Sequence, residues 1–315
     1  MGSFPRDNAC PMCGAAPSVA WDNLEDKLFG VPGHFRLDRC TSPRCGLVWL
    51  DAMPDEAGTT AFYENYYTHE LPPPPDLKSR LKRFAHRIWP IGSQRRLRKE
   101  MDDFFLPDAG GRVLEVGCGP GHNLLALRDR GWIVVGQELD PAAGETAREK
   151  LDLEVVVGPI RTAALPPDTF QAVLMHHVVE HLREPAADLE ACRTFLAPAG
   201  RLVIITPNID SLGARLFGRR WRGLEPPRHL FLYNVATMRR RLSDAGFSHV
   251  DVFTRGARTE AMARATAETV LPGPPSNRLR YVVARVFGMA VQLLADICRV
   301  DRRDRGDELV AIAVK

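Results

Sequence analysis

Val113-Leu-Glu-Val-Gly-Cys-Gly-Pro-Gly121 decides the fold of this chain, because an apolar run breaks there into three alternate glycines. The apolar residues before the glycines predict a buried strand. The glycines permit a tight turn, allow a ligand to lie against bare backbone, and lead into a helical pattern from His122 to Arg130. A glycine turn between a strand and a helix occurs in every dinucleotide-binding fold, so its interpretation depends on the acids around it.

Two carboxylates distinguish this loop from a pyrophosphate-binding loop. Glu115 lies just before the first glycine, and Glu138 ends the next apolar run, residues 132–137. A carboxylate at position 115 would repel a pyrophosphate but attract a cationic ligand that carries an amino group. Glu138 follows the glycines at about the 20-residue spacing expected for an acid that accepts ribose hydroxyls.

The acid-x-Gly-x-Gly-x-Gly form of residues 115–121 resembles the first motif of the class I S-adenosylmethionine-dependent methyltransferases. The resemblance implies that the loop holds the amino-acid part of S-adenosylmethionine and that Glu138 holds its ribose. A glycine turn that serves only helix–strand packing, or an NAD-type site, stays open as an alternative. The cofactor-binding residues implied are Glu115, Gly117, Cys118, Gly119, Gly121, Glu138, Leu139, Ile160 and His176.

One position departs from the pattern of that family. Methyltransferases often place an aspartate after the third strand, where it binds the adenine amino group, but Pro159 stands here. We therefore expect adenine to be bound by apolar contact with Ile160 and by backbone groups.

From Arg112 onward, apolar runs alternate with amphipathic segments, which indicates a parallel sheet with crossover helices. The fold class is α/β: a doubly wound, mostly parallel, seven-stranded Rossmann-like methyltransferase core with a small N-terminal zinc-binding module. Strands are predicted near 112–117, 132–137, 153–157, 170–175, 200–206, 247–254 and 308–314. Helices are predicted near 121–130, 141–150, 185–197 and 234–245, with a further apolar helix at 282–297.

The length of 315 residues suffices for one large domain and a small module. We divide the chain into a zinc-binding module (1–71), a Pro-rich spacer with a basic helical segment (72–107) and the methyltransferase domain (108–315). Within the last part, 207–233 is expected to form a substrate lid and 256–306 a helical insertion.

Four cysteines near the N-terminus predict a metal site. Cys10-Pro-Met-Cys13 and Cys40-Thr-Ser-Pro-Arg-Cys45 are two short loops, each followed by glycine. Four thiolates at such spacing can complete a tetrahedral zinc site that leaves no open position for water, so the predicted Zn²⁺ is structural. The second loop is longer than usual by two residues, and four unconnected core cysteines are the alternative.

Histidines follow the fourth strand and recur in the lid. His176-His-Val-Val-Glu-His181 places dense polar chemistry at a strand end, and His177 is expected to face the cofactor or the substrate. His229 is the first candidate for a general base, with His177 and His181 in reserve, and Tyr233 could hydrogen-bond His229 or the substrate. His229 could instead serve only packing.

The order of these parts is more specific than any one of them. Two cysteine loops, a Tyr-x-x-Tyr-Tyr stretch, the glycine motif and Pro226-Pro-Arg-His229 resemble the zinc-containing methyltransferases of sugar and secondary-metabolite pathways. The resemblance implies methyl transfer from S-adenosylmethionine to a small-molecule or glycan acceptor by in-line displacement. Sugar C-methyltransferases carry a further domain after the core, so the resemblance does not by itself imply C-methylation of a nucleotide sugar. O- and C-methylation both stay open.

Composition limits the other function classes. A net charge of +3 is too small to argue for nucleic acid, although residues 78–99 are strongly basic. An RNA-modifying methyltransferase or nucleic-acid-binding protein, and a catalytically silent cofactor-binding scaffold, remain alternatives. Polar residues within 281–300 argue against a membrane span, but contact of 282–297 with a membrane surface is open. No export signal is apparent, so we expect a cytoplasmic location; the sequence does not indicate the oligomeric state.

Overall fold

The strands form two sheets, one near the N-terminus and one in the core. A computed structural model describes residues 9–55, 58–59, 62, 105–106, 110–256, 259–271, 278–298 and 304–315. The strands are β1 (Pro17–Leu24), β2 (Phe35–Cys40), β3 (Val48–Leu50), β4 (Arg112–Val116), β5 (Ile133–Glu138), β6 (Val155–Val157), β7 (Phe170–His176), β8 (Leu196–Pro207), β9 (Phe231–Leu232), β10 (Ser248–Arg255) and β11 (Glu308–Val314).

The helices alternate with the core strands, as the sequence predicts. They are α1 (His122–Arg128), α2 (Pro141–Leu151), α3 (Pro185–Phe195), α4 (Leu212–Phe217), α5 (Val235–Asp244), α6 (Thr259–Val270) and α7 (Arg278–Cys298). Asp140 caps α2 by accepting a hydrogen bond from the Ala142 amide, with Pro141 in the first turn. The predicted spacer and nearly all of the basic segment lie outside the described residues, as does most of the aromatic stretch 62–67.

The core sheet confirms the predicted doubly wound fold. Its strand order is β10-β11-β8-β7-β4-β5-β6, in which β11 runs antiparallel to both neighbours and the remaining pairs are parallel. Along β4, Val113 packs into one hydrophobic cluster and Leu114 into the cluster on the opposite face. Burial on both faces explains the continuous apolar run. From β4 the chain adds β5 and β6 on one side and β7 and β8 on the other, and open sheets of this kind bind ligands at such a switch in strand order.

The N-terminal sheet is completed by a strand of the predicted lid. Its order is β1-β2-β3-β9, with Val48 opposite Leu232 and Trp49 opposite Phe231. The segment 207–233 is also well packed, because Trp221 and Leu224 are almost fully buried. The segment predicted as a substrate lid therefore packs between the N-terminal sheet and the core, and we call it the cover.

The predicted insertion is a helical hairpin of α6 and α7. Among the described residues, α7 is the one helix long and apolar enough to cross a membrane by length and composition. Only 22% of its apolar stretch is buried. Length and composition therefore do not exclude a membrane span, whereas the polar residues within 281–300 predicted that there is none.

Candidate active site

The carboxyl end of β4 carries a buried acid with one unused oxygen. Glu115 is 1% exposed, and its Oε1 accepts a hydrogen bond of 2.7 Å from Asn123 Nδ2. Its Oε2 is buried without a hydrogen-bond partner among the described residues. Burial raises the pKa of Glu115 to about 8, and the nearby Glu138 adds to the rise while Asn123 opposes it. A cation with N–H donors would satisfy this oxygen and ionise the carboxyl group.

Glu138 holds the glycine loop in place. Its Oε2 accepts from the Gly119 amide at 2.6 Å, and its Oε1 accepts from the amides of Leu139 and Asp140 at 2.8 and 2.9 Å. Burial nevertheless raises the pKa of Glu138 above its usual range. The carboxylate thus has a structural role in addition to the ribose contact that the resemblance implies.

Two glycines show why this loop excludes other residues. A Cβ on Gly117 would lie 2.6 Å from a methyl group of Val178, and the backbone φ there is +66°. Gly119 has a φ of +53°, yet no heavy atom of the described chain lies within 4 Å of the position of a Cβ. Close packing requires the first glycine, whereas the second borders open space that a ligand can occupy.

The other predicted cofactor residues differ in how much surface they offer. Leu139 is exposed beside Glu138, and His176 is half-buried with its ring against that of His177. Cys118 and Ile160 are almost completely buried, and Ile160 packs in the main core. The expected adenine contact of Ile160 is therefore limited to a small edge of its side chain. Gly121 serves packing, since a Cβ there would lie 2.4 Å from Leu153.

His177 lies between two buried carboxylates at the end of β7. Its Nδ1 is 3.3 Å from Glu180 Oε1 and its Nε2 is 3.0 Å from Glu308 Oε1. Burial lowers its pKa, but the two carboxylates outweigh burial and raise the pKa to about 9. A protonated imidazole with both nitrogens engaged cannot accept a proton, so the reserve role of His177 as a base does not fit this geometry.

Glu180 joins this ion pair to the cover segment. Its Oε2 accepts a hydrogen bond of 2.8 Å from Thr206, and its backbone carbonyl accepts one of 2.8 Å from the Leu230 amide. Because Val178 packs on Gly117, residues 176–181 connect the glycine loop with the segment that carries His229. The two predicted halves of the site are thus contiguous.

His229 is a neutral imidazole in a buried pocket. Its Nδ1 donates to the Gly223 carbonyl at 2.7 Å, which directs Nε2 toward Glu225, 3.7 Å away. Burial is the main cause that lowers its pKa to about 4, although Glu225 opposes this shift. The His181 ring packs edge-on against His229 at 4.7 Å, with His181 Nδ1 3.0 Å from the Arg228 carbonyl oxygen.

The predicted catalytic role of Tyr233 receives no support from its surroundings. Its ring is fully buried, 6.4 Å from that of Phe231, and burial raises the pKa of its hydroxyl. The group beside its hydroxyl is Arg241, and no hydrogen bond joins it to His229 in the described ranges. Tyr233 follows β9, the strand that joins the cover to the N-terminal sheet, and packs in the main core.

Several site residues escaped the sequence analysis. Asn123 and Gln137 orient the cofactor pocket: Gln137 accepts from the Gly117 amide at 3.3 Å and donates to the Gly158 carbonyl at 2.6 Å. Their positions, just after the glycines and just before Glu138, were a usable signal. Glu308 reaches His177 from 131 positions away, and no local pattern indicates it. Glu225 lies four positions before His229, next to the Pro-Pro-x-His stretch, and this spacing was a usable signal.

A metal ion could also be considered at the histidines. The ligand atoms of Glu180, His181 and His229 lie within 4.8 Å of one another. However, Glu180 already faces the cationic His177, and Glu225 is paired with Arg222. Although burial opposes ionisation, the positive charge of Arg222 holds the pKa of Glu225 well below its usual range. The cluster is therefore electrically balanced without an ion.

The four N-terminal cysteines converge as predicted. Their sulfur atoms all lie within 4.8 Å of one another, with 3.8 Å between Cys10 and Cys45 and 3.4 Å between Cys13 and Cys40. Four converging thiols from two loops suit a tetrahedral Zn²⁺. Cys40 is the last residue of β2, so the cluster adjoins the sheet that β9 completes.

Comparison with known proteins agrees with this geometry. A family model described as a methyltransferase domain matches residues 89–252, more than half of the chain. The chain belongs to the class I methyltransferases. The match spans the sheet from β4 into β10 and includes the glycine loop and both acids.

The alignments with curated relatives cover only part of this methyltransferase and part of each relative. It is 29% identical over 143 residues to a ubiquinone biosynthesis O-methyltransferase of Stutzerimonas stutzeri, covering 41% of this chain and 62% of the relative. A protein of the same description from Thiobacillus denitrificans is 31% identical over 144 residues, covering 41% and 62%. The methyltransferase thus spans less than two thirds of the length of these relatives.

A solved structure supports the fold. The [4+2]-cyclase SpnF aligns with a TM-score of 0.50 at 20% identity, covering 70% of this chain and 80% of that chain. At this identity the likeness concerns the fold alone.

Proposed function

We propose that this protein transfers a methyl group from S-adenosylmethionine to a small-molecule acceptor bound under the 207–233 cover. The observation that carries the proposal is the unpartnered Oε2 of Glu115 at the end of β4. An isolated buried carboxyl oxygen is costly unless a ligand satisfies it. The ammonium group of S-adenosylmethionine supplies both the positive charge and the donors.

The fit of the remaining pocket supports the same cofactor. Glu115 would hold the ammonium group, the open space beside Gly119 would take the amino-acid chain, and Glu138 and Leu139 would border the ribose. When bound, the cofactor supplies a methyl group already activated by its sulfonium charge. The protein therefore has to align the acceptor, exclude water and, where the acceptor is a hydroxyl or a carbon acid, remove a proton.

His229 is the residue best placed to take that proton. Its Nδ1 is fixed on the Gly223 carbonyl, so the lone pair is on Nε2, and its low pKa keeps it unprotonated at neutral pH. Glu225 lies 3.7 Å from that nitrogen and would stabilise the imidazolium that forms. His181, packed against His229, lies where it could contact the acceptor.

The acceptor class is proposed from two lines of support. The relatives are named for ubiquinone biosynthesis, which supports a hydroxyl group on a small molecule as the acceptor. The cysteine module with its Pro-Pro-x-His cover resembles the enzymes of sugar and secondary-metabolite pathways, which keeps glycan acceptors in the proposal. The proposal also includes a structural Zn²⁺ bound by Cys10, Cys13, Cys40 and Cys45.

Calorimetry with S-adenosylmethionine, followed by a methyl-transfer assay, tests the proposal. We expect saturable binding, and transfer of labelled methyl to members of a panel of phenolic and sugar acceptors. Absence of cofactor binding by the zinc-replete protein would refute the assignment. Binding without transfer to any acceptor would instead favour a silent scaffold.

A further inference from the structure

One helix carries most of the exposed apolar surface of this protein. In the described chain sixteen large apolar side chains are exposed, and ten of them lie on α7. At 3.6 residues per turn, all of them except Tyr281 fall within about half of the helix circumference, so they form one continuous outward face. The ten are Leu279, Tyr281, Val282, Val283, Val286, Phe287, Met289, Leu293, Leu294 and Ile297.

The opposite side of α7 is fixed against α6. The buried positions on that side are Ala284, Gly288, Val291 and Ala295. A Cβ on Gly288 would lie 2.6 Å from the Glu260 carbonyl oxygen, which shows how closely the two helices approach. Gln292 accepts from the Glu260 amide at 3.0 Å and donates to the Gly256 carbonyl at 3.2 Å. The rotation of α7 is thus set, and its larger apolar face points outward.

Positive charge borders this outward face. Arg278 and Arg285 lie on α7, whose sequence contains a single acid, Asp296. On the neighbouring α4 segment, Phe217 packs against Phe287 with 5.8 Å between ring centroids. The exposed residues next to Phe217 are Arg215, Leu216, Arg219 and Arg220. An apolar stripe bordered by guanidinium groups complements anionic headgroups above an acyl layer.

We propose that α7 docks this protein on the surface of an anionic lipid bilayer, with its outward face in the boundary between headgroups and acyl chains. Immersion along the surface suits the structure better than a span, because a spanning α7 would carry the charged side chains of α6, Glu260 and Arg264 among them, into the bilayer. A second copy fits less well, since a symmetric pairing would bring the arginine borders together.

Docking also bears on the substrate, and this part rests on the proposed function. The α6 helix contacts the cover segment, where Thr266 Oγ1 accepts a hydrogen bond of 3.1 Å from the Arg222 amide. The hairpin that would lie on lipid is therefore joined directly to the segment that carries His229. This arrangement favours an acceptor that partitions into the bilayer and reaches the site from its surface.

Vesicle flotation tests the docking surface with the full zinc-replete chain. We expect the wild type to float with phosphatidylcholine vesicles that contain phosphatidylglycerol, and more weakly with phosphatidylcholine alone. Val286→Glu with Leu293→Glu, at side chains 62% and 61% exposed, should weaken binding at least about tenfold because both lose their burial in lipid. The matched control is Val19→Glu with Ile133→Glu, at side chains 52% and 57% exposed elsewhere on the protein, which should float like the wild type.

A second pair of variants tests the charged border. Arg278→Gln with Arg285→Gln should reduce binding to the anionic vesicles and leave binding to phosphatidylcholine unchanged. The proposal would be overturned if the wild type did not float, or if the variant with both glutamates on α7 floated as well as the wild type. A solution dimer that the α7 glutamates dissociate, without any flotation, would assign this face to a second copy. Cofactor binding measured without vesicles should be unaffected throughout, which separates this test from that of the proposed function.

Discussion

Arg228 holds Asp26 through two hydrogen bonds of 2.9 Å, from Nη1 to Oδ2 and from Nη2 to Oδ1. Both side chains are buried, and Arg228 Nε also donates to Glu225 Oε1 at 3.2 Å. The guanidinium further lies over the Phe29 ring, 4.3 Å from its centroid. One arginine thus joins the N-terminal module to Glu225, the carboxylate that faces His229.

Loss of this pair should destabilise the protein. In Asp26→Asn the charge of Arg228 stays buried with one anionic partner fewer, so we expect the free energy of unfolding to fall by about 3 kcal/mol. Asp168→Asn is the control, because it removes the exposed pair with Lys315 and should cost about 1 kcal/mol or less. Urea denaturation measures both variants. If both variants lost the same free energy of unfolding, the buried pair would contribute no more to stability than the exposed pair.

Mutation can separate the proposed role of His229 as a base from the packing role of Tyr233. His229→Ala should leave cofactor binding intact in calorimetry and reduce methyl transfer by about 100-fold or more. Because the pKa of His229 is about 4, the wild-type rate should show no loss from this group on acidification until about that pH. Tyr233→Phe, which removes a hydroxyl that faces Arg241 rather than His229 in the described structure, should keep the wild-type rate. A full rate in His229→Ala would remove His229 from the role of base.

The sequence predicted the core well because its signals are local. Each predicted strand of the core sheet is present, since continuous apolar runs and glycine or proline boundaries are read over a few residues. The cysteine cluster was also predictable, because thiolate spacing within each loop is a local property.

The charged network of the site could not be predicted in this way. Asp26 and Arg228 are 202 positions apart, and His177 and Glu308 are 131 apart. Such pairs depend on which strands become neighbours: Glu308 reaches His177 because β11 inserts beside β8. The reserve role of His177 as a base does not fit the geometry for the same reason, since only the fold reveals the two carboxylates on either side of its ring.

The ion pairs of His177 predict a loss of stability at high pH. A histidine whose folded pKa is raised stabilises the fold fully below its unfolded pKa of about 6.5, and this contribution is lost as the pH rises through about 9. In that window the free energy of unfolding should fall by up to about 1.4 kcal/mol for each pH unit. His177→Gln should be less stable at low pH and should lack this decline, as thermal unfolding across the window would show. His249→Gln, at an exposed histidine, should retain the decline.

Zinc content checks the cysteine cluster. Purified protein should contain about one equivalent of Zn²⁺ by atomic absorption, and Cys13→Ser should lose most of it because one of four thiolate ligands is removed. Cys298→Ser, at the end of α7 and outside the cluster, is the matched control. Because β9 joins the cysteine module to the cover, metal removal by a chelator should also lower the melting temperature. A full metal content in Cys13→Ser would contradict the assignment.

The raised pKa of Glu115 makes cofactor binding dependent on pH. Below about pH 8 the free protein carries this carboxyl protonated, whereas an ammonium ligand requires the carboxylate, so binding should release about one proton. The affinity should therefore rise up to about tenfold per pH unit toward about pH 8, and level off where α-amino groups lose their own proton. Calorimetry in buffers of different ionisation enthalpy measures the number of protons released.

Glu115→Gln should bind the cofactor about 10- to 100-fold more weakly and without proton release, because its amide cannot supply the negative charge. Glu154→Gln, at an exposed carboxylate, should behave like the wild type, and an equal proton release in Glu115→Gln would mean that another group receives the cation.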